Sequence, residues 1–219
     1  MEPVGSQQRL PAALAVQGSG FTDADGLATS LPLARTLRGV TLRIGSEDVP
    51  LFSAGPARIY AQVPYNVRPG DNVSVVVRGN GQLTVPESYL IAPAQPSIFL
   101  SGSDAVILDS QFRLINSSNP AQRGSTIQIF ATGLGETNPP AQAGEPAPVS
   151  ALVVLPVSVT IGGVEAAVTF QGLAPGYAGL YRVDAVVPAT VPPGDNVAVV
   201  IRQNGISSNP NRPVTISVR

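Results

Sequence analysis

Short apolar runs separated by Gly, Pro and Asn recur along the whole chain, and they follow the period of a strand rather than of a helix. Val73, Val75 and Val77 alternate with Ser74, Val76 and Arg78. This nearly continuous Val run predicts a central strand buried on both faces. Asn80-Gly81 follows it, and Asn204-Gly205 follows a similar run, each supplying the positive φ angles of a tight hairpin turn. Pro69-Gly70 and Pro193-Gly194 stand just ahead of those runs, where Pro fixes φ and Gly permits a left-handed turn. The Asp71 and Asp195 that follow read as turn-capping side chains. Helical periodicity is hard to find, since residues 12–16 make too short a stretch and residues 27–37 are interrupted by Pro32. The pattern predicts an all-β chain with almost no helix.

A duplication underlies the pattern. Residues 64–81 (PYNVRPGDNVSVVVRGNG) and 188–205 (PATVPPGDNVAVVIRQNG) are identical at twelve of eighteen positions, at a constant offset of 124. Upstream, residues 40–45 (VTLRIG) match 157–162 (VSVTIG) at an offset of 117, and residues 16–21 (VQGSGF) match 129–134 (IFATGL) at an offset of 113. The growing offset places small insertions in the second copy, one of them near residues 173–179 (LAPGYAG), as loops between strands tolerate. Each copy has the size of an immunoglobulin-like sandwich. The expected organisation is a first sandwich with an N-terminal arm over residues 1–95, a connecting hairpin segment over 96–121, and a second sandwich over 122–219. In the connecting segment, Val106-Ile107-Leu108 and Phe112-Arg113-Leu114-Ile115 flank Asp109-Ser110-Gln111, which predicts a small packed hairpin.

Composition narrows the chemistry. The chain has 219 residues with 12% charged, about half the roughly 25% of a typical soluble domain. All 13 basic residues are Arg, 14 residues are acidic, and the net charge of −1 gives no basis for nucleic-acid binding or a basic membrane-surface patch. His, Cys, Trp and Lys are absent. That excludes Ser-His-Asp and Cys-His nucleophilic catalysis, His or thiolate metal sites, disulfides and Schiff-base chemistry. No stretch approaches the roughly 18 apolar residues of a membrane span, so no membrane insertion is expected. Residues 1–5 (MEPVG) lack a basic region followed by an apolar one, so no signal peptide is expected there.

Several strings resemble known families. Gly18-Ser19-Gly20-Phe21, a V-x-I-G strand and a later P-x-x-V-x-P-G strand start are similar to the IPT/TIG group of immunoglobulin-like domains. The second half resembles the acidobacterial secreted C-terminal domain family, the Solibacter-type C-terminal domain. It does so through residues 129–135 (IFATGLG), 157–163 (VSVTIGG), 172–183 (GLAPGYAGLYRV) and 187–195 (VPATVPPGD). Residues 59–64 (IYAQVP) and 96–99 (PSIF) are similar to the segment found upstream of such domains. The resemblance implies two tandem immunoglobulin-like (IPT/TIG-like) β-sandwiches at the end of a large exported protein, outside the cell or at its surface. It implies no catalytic residues.

Candidate sites are few. Asp23-Ala24-Asp25-Gly26 resembles the opening of a Ca²⁺ loop, because hard cations want closely spaced carboxylates around a Gly turn. Loop positions five, seven, nine and twelve are Leu27, Thr29, Leu31 and Ala34, so no bidentate Glu closes it. Tyr60, Tyr65, Tyr177 and Tyr181 cluster before the Pro-Gly strand of the two copies and are candidates to stack on sugar rings. The competing reading has them filling the end of each sandwich. Glu47-Asp48 is not repeated as an acid pair in the second copy, so nothing points to a duplicated acid pair. Gly133-Leu134-Gly135 and Gly162-Gly163 precede no helix and are not phosphate cradles. Asn72-Val73-Ser74 and Asn116-Ser117-Ser118 match the glycosylation pattern. A Lys-free, sparsely charged β surface lacks the usual defence of strand edges and favours association. The polar residues 2–11 make an arm suited to reaching another chain. The expectation is therefore a non-enzymatic structural or adhesive module that associates with itself or with other cell-surface proteins. The alternative is a carbohydrate-binding accessory module with polysaccharide as partner.

Overall fold

The β-branched runs form strands and the Asn-Gly breaks end them. The structure, a computed structural model, describes residues 9–10 and 13–219. The chain is all-β, built of antiparallel sheets, with no helix among the described residues. The arm expected over residues 2–11 lies outside the described residues except for Arg9–Leu10, which pairs in parallel with Leu90–Ile91.

The chain divides into two compact units. One comprises Met1–Pro93 with Ala141–Ala147 and Gly176–Gly179; the other comprises Ala94–Pro140, Pro148–Pro175 and Leu180–Arg219. In the first unit, one sheet runs Arg9–Leu10, Glu87–Ile91, Asn72–Gly79, Thr41–Ile44, Glu47–Asp48. The other runs Ala13–Gln17, Arg58–Gln62, Leu51–Ala54, Gly26–Leu27. Both sheets feed a single core, with Leu42, Ile44, Val75 and Val77 from the first and Leu14, Leu51, Ile59 and Ala61 from the second.

In the second unit, one sheet runs Ser97–Ile98, Thr126–Thr132, Tyr181–Val186, Val168–Leu173, Leu152–Val153, Thr137–Asn138, with Ile107–Leu108 also paired to Thr126–Thr132. Another runs Val164–Ala166, Ser158–Ile161, Gly194–Gln203, Ile206–Ser207, with Val214–Val218 also on Gly194–Gln203. The 96–121 segment lies within this unit. Its hairpin forms, with Leu108 bridged to Leu114 and the Ile115 N–H donating to Ile107 O.

The registers repeat as the sequence offsets require. Val16 faces Ile59 as Ile129 faces Val183, and Ile44 faces Val75 as Ile161 faces Val199. Both hairpin turns are two-residue turns with positive φ, at 46° and 73° for Asn80-Gly81 and 49° and 77° for Asn204-Gly205.

Two local expectations are corrected. The strand Asn72–Gly79 is central, yet Val75 and Val77 are buried while Val73 and Val76 are only half-buried. Val76 looks onto an open face shared with Thr41, Arg43 and Arg78, so one face of this strand packs on the core and the other does not. Pro-Gly also behaves differently in the two copies. Gly70 turns at φ 91° and its N–H donates to Ile91 O, whereas Gly194 already belongs to a strand and pairs with Val218. There Asp195 does not cap a turn; its carboxylate pairs with Arg219, because the C-terminal strand reaches that far.

Candidate functional site

The four tyrosines separate. Tyr181 lies on the strand Tyr181–Val186, is 0% exposed, and its hydroxyl donates to Gly135 O. A ring with no open face cannot stack on a sugar, so Tyr181 is a core residue of the second unit. The other three belong to the first unit. Tyr60 is exposed on Arg58–Gln62, where the Arg58 guanidinium donates to its hydroxyl at 3.3 Å. Tyr177 is exposed, and its carbonyl accepts the Ala147 N–H.

Tyr65 is the tyrosine in a cleft. Its hydroxyl accepts from Gln62 Nε2 at 2.9 Å, and Gln62 is itself buried on the strand Arg58–Gln62. The Gln62 Oε1 in turn accepts the Gly144 N–H at 2.8 Å, and the Leu33 N–H donates to Gly144 O. One buried amide thus fixes both Tyr65 and the loop Ala141–Ala147. Between them opens a cleft of about 270 Å³ lined by Arg35, Glu47, Tyr65, Asn66, Gln142 and Glu145. Asn66 Nδ2 donates to Glu47 Oε1 at 3.2 Å, and the Arg35 guanidinium donates to Asp48 O. The cleft offers two carboxylates, a guanidinium, two amides and a phenol, a mixed donor and acceptor set suited to a polar, uncharged ligand.

Asp23 and Asp25 are engaged locally. Asp23 Oδ1 accepts from Asn80 Nδ2, which also reaches Gly20 O, and so ties the loop to the hairpin turn. Asp25 Oδ1 lies where a side chain on Gly55 would begin. Among the described residues no group of three or more His, Cys, Asp or Glu is placed to hold a metal ion.

Two other aspartates are electrostatically distinct. Asp109 is held down at about 2, first by the Arg113 backbone N–H and also by the Asn119 amide, the Arg113 guanidinium and the Gln111 N–H, against opposing desolvation. Asp184 is pushed up by burial, which outweighs Arg182 beside it at 3.0 Å. Arg182 also lies over the Phe170 ring at 4.4 Å. Both aspartates serve structure within the second unit.

Sequence reading missed Arg35, Gln62, Asn66, Gln142 and Glu145. Asn66 carried a signal, being next to Tyr65 in the repeated segment. Gln142 and Glu145 sit in a Pro-rich stretch of the second copy (residues 139–148, PPAQAGEPAP), in the interval where the offset grows from 113 to 117, and such an insertion marks a loop.

Strands, registers and cleft together define a duplicated all-β protein with two compact units and a polar cleft on the first. No family model matches the chain, and no curated protein matches it. Among solved structures it is similar to the I9–I11 tandem of titin, at 11% identity and a TM-score of 0.26, over 98% of this chain and 65% of that one. The chain thus spans 65% of the length of that solved structure. A likeness of this size carries no assignment, and the architecture rests on the strand pairing itself.

Proposed function

We propose that the chain is a non-enzymatic structural and adhesive module of the outside of a bacterial cell, made of two immunoglobulin-like, IPT/TIG-like sandwiches, and that it associates with itself or with other surface proteins. The observation that carries this reading is the exposed apolar run beside the short strand Leu152–Val153. Val149 is 83% exposed and Val154 55%, with Leu152 and Leu155 also open. Exposed apolar side chains this close along the chain favour protein–protein contact. The repeated rigid unit supports a spacing role, and the resemblance of residues 129–195 to exported acidobacterial C-terminal domains supports a place outside the cell.

Light scattering of the purified chain over a concentration series, with negative-stain imaging, tests the reading. Oligomers that grow with concentration and disperse when Val149, Leu152 and Val154 are changed to Ser are expected. A monomer at every concentration overturns it.

A second reading is favoured by the cleft. With Tyr65, Arg35, Asn66 and two glutamates converging, it is suited to a polysaccharide segment, as in a carbohydrate-binding accessory module. Retention on immobilised polysaccharide, lost with Asn66→Ala, is the expected sign. Passage through every polysaccharide tried, at the rate of an inert control, removes this reading.

A further inference from the structure

The duplication lets each unit serve as the comparison structure for the other, and at one edge the two differ. In the second unit, Thr126–Thr132 pairs with Tyr181–Val186 on one side; on its other side Ser97–Ile98 and Ile107–Leu108 are added. In the first unit the equivalent strand, Ala13–Gln17, pairs with Arg58–Gln62 and ends its sheet. No described residue pairs with that outer edge.

The added segment also fills space. Ile98 and Ile107 are buried, and Asn209 clamps the segment by accepting the Ile98 N–H at 2.7 Å while donating to Ile98 O at 3.1 Å. Asn209 corresponds to Val85, because Ser208 and Thr84 are equivalent: each hydroxyl accepts the backbone N–H of Ile201 or Val77. Val85 is 83% exposed. Beside it a groove of about 240 Å³ runs along residues 14–19, with Leu14, Val16, Phe21, Val77 and Tyr89 as its apolar lining and Gln17, Ser19, Thr84 and Glu87 as its polar rim. Val16 is half-buried there, whereas its equivalent Ile129 is fully buried.

We infer that the edge strand Ala13–Gln17 and its groove form an acceptor for an extended strand of another polypeptide, with apolar side chains of the kind that residues 97–108 (SIFLSGSDAVIL) supply in the second unit. Backbone hydrogen bonds to the edge that the described residues leave unpaired give affinity, and apolar side chains entering the groove give specificity. Residues 1–8 (MEPVGSQQ) offer only Met1 and Val4 as sizeable apolar groups, fewer than residues 97–108 supply. The inference rests on the adhesive reading above but fails separately from it: self-association in the absence of strand acceptance leaves that reading intact.

The probe is a fluorescein-labelled synthetic peptide of residues 97–108, titrated with the full chain and read by anisotropy, with amide hydrogen exchange on the same mixture. Saturable binding is expected, with exchange slowed in Ala13–Gln17. Val85→Lys, at a position too exposed to disturb folding, weakens binding about tenfold, because a long charged side chain then stands where Asn209 meets the backbone of Ile98 in the second unit. Leu27→Lys, exposed on the opposite edge of the same sheet, leaves binding unchanged. Absence of saturable binding overturns the inference, as does protection in Thr126–Thr132 instead of Ala13–Gln17. So does unaltered affinity of the Val85→Lys variant, or binding that appears only once residues 1–8 are removed, since the arm would then be the occupant.

Discussion

Asp109 organises a turn with one carboxylate, taking the N–H groups of Gln111 and Arg113 on Oδ1 and the Arg113 and Asn119 side chains on Oδ2. Its value of about 2 lies below the ordinary carboxylate range near 4. A depressed folded-state value means that the stabilisation is complete above about pH 4 and is lost as pH falls toward about 2. Asp109→Asn is therefore expected to lower the melting temperature at neutral pH, and the gap from the parent closes as pH drops through that window. Thermal melts from pH 7 to pH 2 read this directly; a gap that is constant with pH refutes it. Glycines of the first hairpin separate two other effects. Gly81 has φ 73° and open space where a Cβ would sit, so Gly81→Ala costs about 1–2 kcal/mol of conformational strain. At Gly79 a Cβ would lie 2.2 Å from Phe21 O, so Gly79→Ala is expected to cost more, measured by urea unfolding. The second copy has Gln203 at this place, with its Nε2 donating to the carbonyl of Leu134, the equivalent of Phe21. The tyrosines make a third contrast. Tyr181→Phe leaves Gly135 O without its buried donor and costs about 1–2 kcal/mol, whereas Tyr177→Phe on the surface stays within about 0.5 kcal/mol.

Among elements, what was legible in the sequence was what is local. Asn-Gly turns and the hairpin around Asp109 depend on neighbours a few residues away, and the repeated strands show in the apolar alternation within each run, although their partners are distant. The fate of Gly194 was not legible, because it is decided by Val218 pairing from the far end of the chain. Tyr177 and Tyr181, four residues apart, likewise go to an exposed loop of one unit and the core of the other. Tyr65 could be named from sequence, but its cleft could not, since Ala141–Ala147 reaches it from a distant part of the chain. Gln62 is the tie that makes this contact specific. Gln62→Ala removes the acceptor of the Gly144 N–H and a donor to Tyr65, and it is expected to cost about 1–3 kcal/mol, the range for leaving a buried polar group unsatisfied. Amide exchange at Gly144 quickens in the same variant; exchange as slow as in the parent would show that other contacts hold the loop.

For the whole molecule, the missing residue types shape how it responds to its surroundings. Without His or Cys, the side-chain charge comes from 14 carboxylates, 13 arginines and the tyrosines, and none of these ordinarily titrates between about pH 6 and 8. The two aspartates with shifted values move in opposite directions, Asp109 held down at about 2 by its hydrogen bonds and Asp184 pushed up by burial against the pull of Arg182. A net charge near zero also leaves little long-range repulsion for salt to screen. Association through apolar side chains such as Val149 and Val154 should then be indifferent to both variables. Light scattering at a fixed protein concentration is expected to give the same mass at about pH 6 and pH 8, and the same mass when ionic strength rises from about 0.01 to 0.15 M. An assembly that dissolves on that rise in salt would instead be held by its arginines and carboxylates, and the search for its contact would move from the Val149–Leu155 surface to the charged positions of the turns.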